Sequence, residues 1–175
     1  MKPGKIFLIL FAAIIFAWPV WSQNEVPGVP EIRAQFNAIN TDAGLKTDTF
    51  ENEEFLEQGT DGGGMLTFYY RNDSIRKIVT WIGLSYGNTI REYYFSNDQL
   101  IFVYENVATF VENKNGERDL TKTETAFEGR YYIHDNRMIK KLTTGEKPFE
   151  DKRKDLMKEL LTEADGYFKL FYKKK

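Results

Sequence analysis

The chain contains no cysteine and a single histidine in 175 residues. No disulfide can form, no thiol can act as a nucleophile, and no acylated thiol can tether the chain as in a bacterial lipoprotein. With His134 as the sole histidine, the nitrogen and sulfur ligands of a structural zinc site are missing. Proline is scarce, at five residues, and no glycine-rich phosphate loop or G-x-S-x-G nucleophile turn occurs. Positive charge is not in excess either. Lysine and arginine number 24 against 26 aspartates and glutamates, a formal net charge of -2, which argues against a nucleic-acid backbone as partner. Neither a cofactor nor a nucleic-acid partner is expected.

The long apolar run extends from Ile6 to Trp18. It falls short of the roughly 20 residues that cross a bilayer. Lys2 and Lys5 precede it, Pro19 follows it, and Val20 and Ser22 stand at the minus-three and minus-one positions of a cut before Gln23. That layout predicts a secretory signal peptide over residues 1–22, with retention as an N-terminal anchor the alternative. Cleavage leaves residues 23–175, a periplasmic or secreted protein with no membrane span after leader cleavage. This is enough chain for one domain with a packed core. Aromatic residues, 15% of the chain, supply large surfaces to bury in it.

Three parts follow the leader. In 23–64, Pro30 suits the first turn of a helix, and Ile32, Phe36 and Ile39 share one of its faces. The prediction is a short helix over 30–40, then a polar segment pinned by Phe50 and Phe55, with Gly62, Gly63 and Gly64 as a hinge. In 65–145, runs rich in Tyr, Phe, Ile, Val and Thr alternate with Asn/Asp/Gly clusters, which predicts strands near 65–71, 75–84, 89–95, 99–111, 120–133 and 137–143. Asn115-Gly116, within an otherwise polar stretch, predicts a long hairpin arm with its tip in solvent. In 146–175, Pro148 and nearby acids open a helical pattern, and Leu156, Leu160, Ala164, Phe168 and Phe171 form its apolar stripe. Gly166 is expected to divide this helix.

A weak internal repeat organises the middle part. Tyr69-Tyr70 precede Asn72-Asp73, Tyr93-Tyr94 precede Asn97-Asp98, and Tyr131-Tyr132 precede Asp135-Asn136; Ile75, Leu100 and Met138 follow in turn. Asn and Asp tolerate left-handed backbone, so each unit reads as a strand, a turn and a returning strand. Sequential hairpins pair as a meander. The fold class expected is α+β: an antiparallel meander of five or six strands, a C-terminal helix packed on one face, and a short N-terminal helix on an edge or the other face.

Adjacent tyrosines in a strand point to opposite faces. One row enters the core. The other either forms an aromatic sheet face with Trp81 and Tyr86 nearby, or packs beneath the N-terminal helix. The candidate ligand-binding residues are Tyr70, Trp81, Tyr86, Arg91, Tyr94, Arg130 and Tyr132, suited to a glycan, peptide or protein ligand. The competing chemistry is a carboxylate hydrolase using acids placed in strands, Glu92, Glu105 and Glu128. A third reading is a structural or inhibitory protein acting through the hairpin arm. His134 reads as an exposed turn residue, and Asn113, Asn115, Glu117 and Asp119 as a turn rather than a calcium loop.

The tyrosine-pair units at 69–75, 93–100 and 131–138 resemble strands of small, uncharacterised secreted β-rich proteins of Bacteroidetes-type bacteria. The resemblance covers residues 65–145. It implies a periplasmic or secreted β-rich domain and carries no catalytic residue across.

Overall fold

Three hairpins turn on Asn72-Asp73, Asn97-Asp98 and Asp135-Asn136, and all six residues have positive φ, between 48° and 64°. Two consecutive left-handed residues give the turn whose twist matches that of the flanking strands, and Asn and Asp bear that conformation at least expense. The computed structural model of the chain describes residues 25–56, 58–149 and 155–175. The signal peptide predicted over 1–22 lies outside the described residues.

The elements run α1 (Val29–Asn40), β1 (Lys46–Glu51), a 3-10 turn (Asn52–Glu54), β2 (Gly64–Arg71), β3 (Ser74–Leu84), β4 (Gly87–Ser96), β5 (Gln99–Glu112), β6 (Arg118–His134), β7 (Arg137–Gly145) and α2 (Leu156–Lys173). The seven strands form one antiparallel sheet in sequence order. The fold is α+β, as the patterning predicts. The additional strand is β1, whose Lys-Thr-Asp-Thr start carries no apolar alternation and whose one buried residue is Phe50.

The repeat is structural. β2–β3, β4–β5 and β6–β7 each carry a register shift at the same place, after Tyr69, Tyr94 and Tyr132. One extra residue on each returning strand, Arg76, Ile101 and Ile139, absorbs it. The β2 unit is offset by one residue from its tyrosine pair. Phe68, Ile78, Tyr93, Val103 and Tyr131 lie in one cross-strand row, and Tyr69, Lys77, Tyr94, Phe102 and Tyr132 in the next. Phe68-Tyr69 therefore matches Tyr93-Tyr94 and Tyr131-Tyr132.

The first row faces α2. Phe68, Tyr93, Phe95, Tyr131 and Ile133 are buried with Leu160, Ala164 and Phe171 of that helix. Phe171 lies 5.0 Å from the rings of both Phe68 and Tyr70. The second row faces α1, where Tyr94, Phe102 and Tyr132 are buried with Val29, Ile32 and Ile39. Both faces are thus covered, and each fully buried large side chain contributes about 1.5–3 kcal/mol.

Three expectations are corrected. Pro148 and Phe149 form a turn, and α2 starts at Leu156, where the Asp155 side chain accepts from Lys158 N at 3.2 Å. Gly166 does not divide α2, because the roughly 1 kcal/mol a mid-helix glycine costs is offset by burial of Leu160, Ala164 and Phe171 on either side of it. The glycine triplet is no hinge. Gly62 N donates to Gly83 O at 3.2 Å and Gly83 N to Gly63 O at 2.9 Å, so the backbones approach too closely for a Cβ at Gly62. Among the described residues, no helix is long and apolar enough to cross a membrane.

Candidate functional site

α1 reaches the sheet as an amphipathic rod placed by local chemistry. Gly28 takes a left-handed conformation before the first turn, Pro30 fixes that turn, and Thr41 Oγ1 closes the last by donating to Asn37 O at 2.9 Å. Ile32, Phe36 and Ile39 consequently face β4, β5 and β6. Phe36 packs on Tyr94 with tilted rings at 4.8 Å and meets Phe102 edge-on at 5.3 Å, and Phe102 lies 5.0 Å from Tyr132. Offset and edge-to-face geometries of this kind are the favourable ones for aromatic pairs.

The helix does not seal this layer. A cleft of about 250 Å³ remains between α1 and the sheet, lined by Ile32, Arg33, Phe36, Asn37, Phe102, Arg130 and Tyr132. Its floor and walls are aromatic and aliphatic. Among the described residues, the charged side chains lining it are the two arginines, Arg33 from the helix and Arg130 from β6. Each is about half exposed, and each is tethered outside the lining, Arg33 to Glu25 and Arg130 to Glu128. Arg33 also lies over the Tyr132 ring at 5.8 Å, and Arg130 over Tyr104 at 5.7 Å. A guanidinium offers five N–H donors, so one carboxylate neighbour leaves donors for a second partner.

The seven predicted ligand-binding residues separate in space. Arg130 and Tyr132 line the cleft, and Tyr94 lies beneath α1 beside it. The tyrosine row is roofed rather than open. Tyr94 is 0% exposed and Tyr132 5%, because α1 covers the sheet where they stand. Burial pushes the Tyr94 phenol above its ordinary range, and its hydrogen bond to Glu92 adds to the effect. Trp81 shares the α1-side face but lies away from the helix, half-buried between Met65 and Ile90. Tyr86 sits at the β3–β4 turn, 5.2 Å from the ring of exposed Phe149. Tyr70 and Arg91 belong to the opposite face, beneath α2.

Arg91 is the hub of a second constellation. Its Nε meets Glu105 at 2.8 Å, and its Nη1 meets Glu159 at 2.9 Å and Glu163 at 2.7 Å. Glu105 is completely buried and also accepts from Lys147 Nζ at 2.6 Å and the Tyr131 hydroxyl at 3.0 Å. Gly129 opposite provides the space, since a Cβ there would lie 2.4 Å from that hydroxyl. Burial alone would raise the Glu105 pKa. Arg91 and Lys147 outweigh burial and hold the carboxyl below its usual range. Tyr93 donates to Glu163, and burial followed by that carboxylate keeps its phenol protonated well beyond the ordinary range.

The remaining candidates resolve simply. His134 is not a turn residue but the exposed last residue of β6, paired with Arg137 and 3.5 Å from Asp135. Asn113 Oδ1 accepts from the backbone of Asn115 and Glu117, and its amide donates to Glu117, so those groups close the arm's tip. Among the described residues, no three His, Cys, Asp or Glu side chains converge as a metal site would require. The arm itself extends as predicted. Pairing with β4 ends at Thr109 and pairing with β7 at Phe127, and the hairpin continues beyond both.

Sequence reasoning missed Ile32, Arg33, Phe36, Asn37 and Phe102 as parts of one site. Their signal is the helix stripe itself, but which strands it lands on depends on the path of residues 41–64. No family model, curated protein or solved structure matches the chain.

Proposed function

We propose that the protein is a non-catalytic binding or accessory module of the periplasm or the secreted space, and that its ligand site is the cleft between α1 and the sheet. The observation that carries this reading is the cleft's composition: a concavity of about 250 Å³ walled by Ile32, Phe36, Phe102 and Tyr132, with Arg33 and Arg130 as the charged side chains among the described lining residues. Sites of this kind, mostly apolar with a few placed polar groups, are the usual form of small-ligand pockets. The size suits a ring or side chain from a glycan, peptide or protein. The leader pattern supports the location.

The carboxylate-hydrolase reading finds less support. An acid catalyst needs a raised pKa and a free proton, whereas Glu105 is held low and engaged by three donors. The projecting β5–β6 arm favours a second reading, in which its free edges pair with a partner strand.

Asn37→Trp tests the cleft. The new ring fills the cavity from the exposed side of α1. A fragment panel containing benzyl alcohol, phenylpropionate and a methyl glucoside should show binding to the unmodified protein and none to this variant, with the unfolding midpoint preserved. Equal binding by both would contradict the assignment.

A further inference from the structure

The two arginines narrow the class of ligand. We infer that the cleft takes a carboxylate attached to an aromatic or branched apolar group, held with the apolar group on Phe36, Phe102 and Tyr132 and the carboxylate between Arg33 and Arg130. The inference rests on the cleft being the ligand site and specifies what it holds.

Three observations lead there. Among the described residues, the charged side chains lining the cleft are both arginines, each paired with one carboxylate, so what they offer an anion is their remaining N–H donors. The arginines come from different elements, one from α1 and one from β6, and each already pairs with a carboxylate, Glu25 and Glu128. Planar guanidinium forks match carboxylates in pairs of parallel hydrogen bonds. Finally, the volume fits. An apolar cavity of about 150 Å³ accommodates a benzene ring, so about 250 Å³ holds a ring together with a short acid chain. A free aryl or alkyl acid and the C-terminal residue of a peptide present the same chemistry, an apolar group next to a carboxylate.

The test compares acid with isosteric amide on the full chain. Phenylpropionate, phenylpropionamide and phenylethylamine are titrated by calorimetry, with NMR shifts of the Ile32 methyl groups and the Phe102 ring as the site-specific readout. Acetyl-Gly-Phe and its C-terminal amide form the peptide arm. The acid should bind at least about tenfold more tightly than the amide, as charge-assisted hydrogen bonds imply. Raising the salt should weaken acid binding and leave amide binding unchanged. Arg33→Gln and Arg130→Gln should each remove most of the preference for acid without moving the unfolding midpoint. Glu128→Gln, which frees Arg130 from its neighbour, should tighten acid binding.

Tighter binding of acetyl-Gly-Phe than of phenylpropionate would identify a peptide terminus as the source, and the reverse a free acid. Both outcomes support the carboxylate class. Equal binding of acid and amide, with Ile32 and Phe102 still responding, would overturn the ligand class and leave the cleft as a site. No response at Ile32 or Phe102 to any probe would overturn both.

Discussion

Arg91 and Glu105 face each other across β4 and β5, with 2.8 Å between Nε and Oε1, and no part of the Glu105 side chain reaches solvent. The pair joins the sheet to α2 through Glu159 and Glu163 and to the segment after β7 through Lys147. It is a structural clasp placed among apolar rings, and its energetics depend on every partner being present.

Removing Glu105 takes a buried carboxylate away from Arg91, Lys147 and the Tyr131 hydroxyl at once. Glu105→Leu should destabilise the protein by about 3–5 kcal/mol, the range for a broken buried ion pair. Denaturant unfolding measures it. Glu163→Gln should lose less, because Arg91 keeps Glu105 and Glu159 and the amide oxygen still accepts from Tyr93.

The same carboxylate sets a pH dependence. The Glu105 pKa is lower in the folded state than in the unfolded chain. Its contribution to stability is therefore fully present above the unfolded carboxylate range, near 4.3, and is lost as pH falls through the depressed folded value. Unfolding midpoints measured from neutral pH downward should drop more steeply in the unmodified protein than in Glu105→Gln.

Tyr94 and Phe171 anchor opposite faces, and both behave as core. Tyr94→Ala and Phe171→Ala should each reduce stability by about 3–5 kcal/mol through cavity formation. Tyr94→Phe keeps the ring and loses only the hydroxyl's bonds to Glu92 and Asn40, so a loss of about 1 kcal/mol is expected.

The hairpin turns offer a gain. Asp98 has φ of 59° at the second turn position, where glycine is best suited. Asp98→Gly should raise stability by about 0.5 kcal/mol, net of the flexibility it gives the unfolded chain. Asn97→Val, a β-branched residue forced to positive φ, should lower it by about 1–2 kcal/mol.

The hairpins and the α2 stripe were readable because their signals are local. Asn and Asp at fixed turns and an apolar residue every three or four positions require no knowledge of the rest of the molecule. β1 was not readable, since an edge strand with one covered residue needs only Phe50. The offset of the first tyrosine pair was hidden because the eye matches Tyr69-Tyr70 to Tyr93-Tyr94, whereas distance from the turn equates Phe68 with Tyr93. Tyr132 is legible as a candidate from the recurring pair and Arg130 from its place in the same strand, and both line the cleft. Their partners Arg33 and Phe36 are not legible, because α1 meets them only through tertiary packing. Arg91 was legible as unusual, yet its role emerged only when α2 delivered Glu159 and Glu163.

The most direct test of the account is an NMR shift map of the full chain titrated with phenylpropionate. The account predicts perturbations concentrated at Ile32, Arg33, Asn37, Phe102 and Arg130, with Trp81 and the arm from 112 to 118 unmoved. Perturbations centred on Trp81 or the arm, with Ile32 and Phe102 silent, would contradict it.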